Sequence, residues 1–396
     1  MNNKPVLSLE NTETAFAGKS DSDLRQSYRI FKLLNHSILV ETGAVLANLA
    51  LKFYIPISPF ARPTVFRQFC GGESLEDCKP MIEKMENFEV KVLLNYGMEG
   101  AEREVDFDST ISENVRALQF AGSNKNVIGV SLKLTGIGRF ELYEKLQSRN
   151  PLNMTEMEEF SKIKTRIALL CKTAAECQTS IYLDAEESWV QETLDDLVNE
   201  MMAKYNKEKC IVFTTFQIYR HDKLEFLKKS LDLAKRKGYI LGAKLVRGAY
   251  LEKENERAAK LGYPSPIHES KYNVNRDYNE SIDFCLENLD HIAACFATHN
   301  EESCEYLAQK IKHNNIAPNH PHITVAQLFG MGEHITFNLA KTGMNAIKYI
   351  PYGPVRKVIP YLIRRAEENS SVVGQMGREL NLIKKEIDRR KKVKKM

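Results

Sequence analysis

The sequence predicts an α/β protein: a (β/α)8 TIM-type barrel with an N-terminal helical extension. Three observations carry the prediction. Eight short β-rich runs follow one another after residue 85, amphipathic segments of helical period lie between them, and the chain before them reads as helix. The runs are VKVLLNY, VIGVSLKL, SIYLDA, CIVFTTF, YILGAKLV, HIAACFAT, HITVAQLF and NAIKYI. Strands this uniformly apolar are buried on both faces, as happens when connecting helices cover a parallel sheet. Eight such units in a row close into a barrel. A doubly wound sheet is the rival, but no GxGxxG follows the first strand, and GIG (136–138) and GMG (330–332) read as turns.

Taken in order, residues 1–85 form the helical region, with the runs RIFKLLNHSILVETGAVLANLALKF and PTVFRQFC. Thr42 to Ala61 is the most apolar stretch, but Lys52, Pro56 and Pro59 interrupt it. It is too short to span a bilayer and reads as a core helix, with a membrane-contacting face as the alternative. Residues 86–375 hold the barrel, covered by helices such as VQETLDDLVNEMMAKY and KLEFLKKSLDLAKRKG; a last helix is expected from near Pro354. Residues 376–396 form a basic C-terminal helix or tail.

The 396 residues are 43% hydrophobic and 27% charged, which excludes wholesale disorder. The net charge of +4 sits at one end: Lys384 to Met396 hold eight basic and two acidic residues, leaving the rest at −2. That excludes a nucleic-acid-binding body. The tail reads as a solvated, frayed helix end, with contact to anionic lipid as the alternative. Eight cysteines without a CxxC read as free thiols, several of them buried. The N-terminus is acidic and free of arginine before Arg25, unlike a mitochondrial presequence. The expected location is the cytoplasm of a bacterium, with any membrane contact peripheral at the inner membrane.

Reactive groups of a barrel come from the C-terminal ends of its strands. Those ends carry Lys133 in SLKL, Asp184 in YLDAEESW, Gln217 in TTFQIY, Lys244 in GAKLVRGAY, His299 in FATHN, Leu328 in AQLFGMG and Tyr349 in KYIP. Singly, a strand-end lysine is a solvated charge and an aspartate before a helix an N-cap. Gathered around one mouth they converge on a pocket, where Lys133 and Asp184 on adjacent strands make a natural pair. The Arg364-Arg365 doublet suits a carboxylate or phosphate, unless one arginine pairs with Glu367 or Glu368 at the surface. Tyr349, Tyr352 and Tyr361 add aromatic walls. His320 and His322 lack a carboxylate at ligand spacing, so no metal is expected. Three readings stay open: a Schiff-base lyase or aldolase using a strand lysine, a flavin enzyme, and a non-catalytic binding barrel.

Five motifs in order, YLDAEESW, KLVRGAYLEKE, FATHN, QLFGMG and YLIRRAEEN, resemble the proline dehydrogenase (proline oxidase) family over roughly residues 60 to 375. The form resembled is monofunctional, and the helical N-terminal region with QLFGMGEH resembles the eukaryotic branch. The resemblance implies a barrel that binds FAD, oxidises L-proline to Δ1-pyrroline-5-carboxylate and passes electrons to a membrane quinone. By motif, Arg364 and Arg365 would hold the proline carboxylate, with Lys133 near it. Asp184 and Lys244 would be catalytic, and Leu328, Tyr349 and Tyr361 would shape the substrate pocket. Flavin contacts would fall on Ala185, Gln217, Lys244, Arg247, Gly248, Ala249, Thr298 and His299. One departure stands out: many bacterial members have arginine where this chain has Lys244, and lysine keeps the charge without the fork.

Overall fold

The computed structural model describes residues 7–97, 102–371 and 375–394, with backbone alone for Ser37, 367–371 and 375–376. The eight expected strands are β1 (Lys91–Tyr96), β2 (Val127–Lys133), β3 (Ser180–Asp184), β4 (Val212–Gln217), β5 (Leu241–Val246), β6 (Ile292–Ala297), β7 (Ile323–Leu328) and β8 (Ala346–Tyr352). They close into a barrel in chain order, with parallel neighbours, and helices occupy the connections. All six residues of β4 are buried, as a strand enclosed on both faces requires. The chain divides into two compact units, 100–326 and a second made of 1–99 with 327–396.

In the 100–326 unit, Tyr182 of β3 stacks on Phe213 of β4 with ring centroids 4.3 Å apart. Asn206 is fully buried because it stands in for missing ladder partners. Its amide donates to the carbonyls of Val212 at 2.8 Å and Ile240 at 3.0 Å, and its oxygen accepts from the amides of Ile211 and Val212. Some covering helices start on side-chain caps, as Met154–Glu176 does on Asn153 and Glu301–His313 on Asn300. Cys210, Cys285 and Cys295 are buried free thiols, as expected.

The other unit holds β1, β8 and both terminal regions. Phe31 meets Phe69 edge to face at 6.2 Å, in a cluster that also buries Leu24, Val358, Leu382 and Ile383. The last two belong to the helix Gln375–Val393, so the expected frayed tail is corrected: it is a docked helix. Its stripe of Leu380, Ile383 and Ile387 packs inward at helical spacing, and its charges meet the acidic N-terminus. Lys385 pairs with Glu10 at 3.0 Å, and Arg390 pairs with Asp21 at 3.0 Å. Arg390 also donates to the carbonyls of Phe16 and Lys19, and with Arg389 it holds the buried Glu386.

The apolar stretch is corrected too. The helix Ser37–Lys52 covers only part of its surface: Val40 and Ala44 are buried. Ile38 (75% exposed), Leu46 (61%) and, just beyond the helix, Phe53 (65%) and Phe60 (77%) face outward. It is not a core helix, because it has more apolar faces than neighbours to cover them. Among the described residues no single helix is long and apolar enough to cross a membrane.

Candidate active site

Within the 100–326 unit, strand register builds a row of polar groups. Lys133 lies beside Asp184, and Thr215 beside Lys244, so their side chains share a face of the sheet. The expected neighbours Lys133 and Asp184 are thus side by side, and Lys244 joins them as the ion-pair partner of Asp184. Ser131 Oγ donates to the same carboxylate at 2.6 Å. The Asp184 and Lys244 side chains are both largely buried, 14% and 7% exposed, so each charge relies on the other.

Around this row stand the residues expected to contact a flavin. Gln217 of β4 is buried; its Nε2 donates to the carbonyl of Glu186 at 2.9 Å, while its Oε1 is buried without a hydrogen-bond partner. Arg247, after β5, donates to Thr298 Oγ1 at 2.6 Å, to Asn275 Oδ1 and to Ser303 Oγ, and lies 4.4 Å from the Tyr278 ring centroid. Those hydrogen-bond partners are neutral, and burial lowers the arginine's pKa, against the pull of Glu302. Gly248 follows with φ of +147°, where a Cβ would strike the Tyr219 ring within 2.4–2.5 Å. Only glycine fits, and Gly248 and Ala249 leave exposed backbone there. Thr298 and His299 follow β6, where Asn300 caps the next helix. Ala185 is buried after β3.

Two residues of this unit escaped the sequence reading. Tyr250, in the quoted GAYLEKE, is buried with the Lys133 ammonium 5.5 Å from its ring centroid. Burial pushes its hydroxyl up to about 12, against the pull of Lys133. Glu186, in DAEE, is buried and accepts from the amide of Thr135 at 3.0 Å and from its hydroxyl. Burial raises its carboxyl to about 7, although Lys133 and Thr135 act to lower it. The signal for Tyr250 was its place after a glycine that brings backbone to the site. Nothing in the sequence separated Glu186 from Glu187 beside it.

The 1–99 with 327–396 unit carries the second group. Gly330 follows Leu328 with φ of +81°, where a Cβ would lie 2.0 Å from the Gln68 carbonyl oxygen, so QLFGMG does form the expected turn. Tyr349 of β8 is half-buried, and its carbonyl accepts from the amide of Phe329 at 2.9 Å. The helix Val355–Ser371 carries Tyr361, buried, then Arg364 and Arg365, both half-buried. Arg365 sits one turn beyond Tyr361 with its guanidinium 5.4 Å from that ring centroid. The alternative partners, the Glu367 and Glu368 side chains, lie outside the described residues. His320 and His322 face each other at 5.6 Å, and among the described residues no group of three ligating side chains could hold a metal.

The profile of the proline dehydrogenase family matches residues 78–378. The chain belongs to that family. Among curated proteins it is similar to proline dehydrogenase 1, mitochondrial, of Dictyostelium discoideum, 29% identical over 98% of this chain and 76% of the relative. It is also similar to the carbapenem antibiotics biosynthesis protein CarD of Pectobacterium carotovorum subsp. carotovorum, 32% identical over 81% of this chain and 83% of that one. Among solved structures it resembles proline utilization A from Bdellovibrio bacteriovorus, inactivated by N-propargylglycine, with a TM-score of 0.71 at 18% identity. That likeness covers 93% of this chain and 37% of the other, and it supports the barrel fold. The proline dehydrogenase family supports an oxidoreductase acting on proline.

Proposed function

We propose that this chain oxidises L-proline to Δ1-pyrroline-5-carboxylate with FAD, and passes the electrons to a lipid-soluble quinone. The observation that carries the cofactor reading is the buried, unpartnered acceptor of Gln217 at the end of β4, beside the strand that leads to the buried cation of Arg247. A flavin's ring edge offers N–H donors and its diphosphate offers negative charge, so the donor and acceptor sets match. Gln217 and Lys244 would hold the ring, with Ala185 beside it. Arg247, the Gly248 and Ala249 backbone, Thr298 and His299 would hold the ribityl and diphosphate. When bound, FAD supplies the hydride acceptor.

The remaining work falls to the chain's own residues. Arg364 and Arg365 would bind the substrate carboxylate, and two planar forks on one anion would fix its orientation. Leu328, Tyr349 and Tyr361 exclude water from the ring. Asp184 holds the Lys244 ammonium in place, so that a fixed positive charge stands where negative charge develops. The same ion pair weighs against a Schiff-base lyase, since an ammonium held by a carboxylate is a poor nucleophile.

A quinone acceptor requires contact with a bilayer, and the surface that suits it is the outward face of Ser37–Lys52 with Phe53 and Phe60. The face is rich in exposed apolar side chains, interrupted by Glu41 and Asn48, and has Lys32 and Lys52 exposed near its ends, which suits a helix lying in a lipid interface. The C-terminal cations are a poorer candidate because several are spent on Glu10, Asp21 and Glu386. An anaerobic titration with L-proline tests the whole reading. The expected result is a yellow protein whose flavin absorbance bleaches stoichiometrically. A colourless protein trapped by borohydride with a carbonyl substrate would contradict it.

A further inference from the structure

A turn built on glycines is free to move unless something holds it. Residues 328–332 include two glycines in the left-handed region, Gly330 at φ +81° and Gly332 at φ +59°. Even so, a backbone group of every one of the five is held. The Phe329 amide donates to the Tyr349 carbonyl at 2.9 Å. The other four are held by side chains from three separate stretches of the 1–99 with 327–396 unit. Gln68 Nε2 donates to the Gly330 carbonyl at 2.7 Å. Lys348 Nζ donates to the carbonyls of Leu328 at 3.3 Å and of Met331, and the Glu379 carboxylate accepts from the Gly332 amide. All three side chains are buried, Lys348 completely. Gln68 is held in turn, its Oε1 accepting from Ser27 Oγ at 2.9 Å. An ammonium taken out of water is costly, and Glu333 at 3.9 Å supplies the counter-charge. A buried polar network satisfied in this way fixes one arrangement of the chain.

What the network holds is the backbone under Leu328. Phe329 to Gly332 are buried, whereas Leu328, packed on one side against the cluster around Phe31 and Phe69, stays half-buried. It is the residue of this turn that the proline reading sets against the substrate ring. Resting on that reading, we propose that Lys348 and Glu379 are positioning residues that fix the 328–332 turn, and through it the Leu328 wall that measures the ring. Lys348 acts from β8, next in the chain to Tyr349, the other wall. Glu379 acts from the helix Gln375–Val393, so that helix helps to shape the pocket through one hydrogen bond. An apolar wall rejects one extra methylene by about tenfold or more, provided that it does not yield.

Two unreactive acids read the wall in the flavin-loaded enzyme: tetrahydrofuran-2-carboxylate, with proline's ring size, and tetrahydropyran-2-carboxylate, one methylene larger. In the wild type the larger acid should bind about tenfold or more weakly. Glu379→Ala and Lys348→Met should each shrink that ratio of Kd values by about fivefold, since a loosened wall gives way to the larger ring. Loss of stability alone lowers the folded fraction and leaves both Kd values where they were. Glu379→Gln keeps an oxygen for the Gly332 amide and should return the ratio to within about twofold of wild type. Either variant, recovered folded with flavin, decides the matter. An unchanged ratio in such a variant overturns the proposal, as does a Glu379→Gln ratio as low as that of Glu379→Ala. Two variants that never fold overturn it as well, and leave the network a structural brace. A wild type that binds flavin but neither acid, and never reacts with proline, overturns the functional reading itself, a different result.

Discussion

The two units differ in where their ion pairs and their exposed apolar side chains gather. In 100–326, ionisable groups are drawn inside and bonded to one another: Asp184 with Lys244, Lys223 with Asp195 at 3.0 Å, Glu186 with Thr135. In 1–99 with 327–396, Lys348 and Glu386 are buried as well, but a set of ion pairs joins the two termini, and large apolar side chains from Ile38 to Phe60 are left outside. Burying charge and exposing apolar surface both cost stability, so each departure marks where function overrides folding.

The sharpest break in that comparison is removal of one partner from the buried pair. Lys244→Met removes the ammonium paired with the largely buried Asp184 carboxylate and should cost about 3–5 kcal/mol of stability, with activity lost. Lys244→Arg should keep the charge and most of the fold. Unfolding by denaturant, with turnover measured alongside, checks both.

The terminal clasp should be worth less. Arg390→Ala removes bonds to Asp21, Glu386 and two carbonyls and should cost about 1–2 kcal/mol. Lys394 and Arg390 hold the Asp21 carboxyl down to about 2 from 3.8. A depressed carboxyl stabilises the fold above its unfolded pKa and loses that contribution as pH falls through the folded value. The melting-temperature gap between wild type and Asp21→Asn should therefore be steady above pH 4 and close towards pH 2. A gap indifferent to pH would remove the clasp from the account.

The barrel was legible in the sequence because each strand is an apolar run enclosed on both faces, a pattern that survives without knowledge of neighbours. Lys133 and Asp184 were legible as neighbours for the same reason. The Asp184–Lys244 pair was not, since it depends on register carried across β3, β4 and β5. The clasp joins residues more than 360 positions apart, such as Asp21 and Arg390, and composition alone read its cations as solvated. The apolar helix Ser37–Lys52 was recognised, but hydrophobicity cannot say which face finds a partner.

Smaller effects sharpen the picture at each end. Tyr349 should crowd a hydroxyl at C4 of the substrate ring, so proline should be preferred to 4-hydroxyproline. Tyr349→Ser should narrow the kcat/KM ratio by roughly tenfold, about 1.4 kcal/mol. Leu46→Glu changes an exposed side chain and should leave stability within about 0.5 kcal/mol while reducing binding to anionic vesicles. Vesicle binding unchanged by Leu46→Glu and Phe60→Glu together would place the lipid contact elsewhere.

The proposed division of labour, in which the 100–326 residues would hold flavin and Arg364 and Arg365 the substrate carboxylate, is tested most directly by Arg364→Met and Arg365→Met. Each should lower kcat/KM for proline by about 2–4 kcal/mol, mostly through KM, with flavin content and melting temperature near wild type. Lysine at either position should rescue only part, because a point charge cannot replace the fork. Two variants with a near-normal KM for proline would contradict the account.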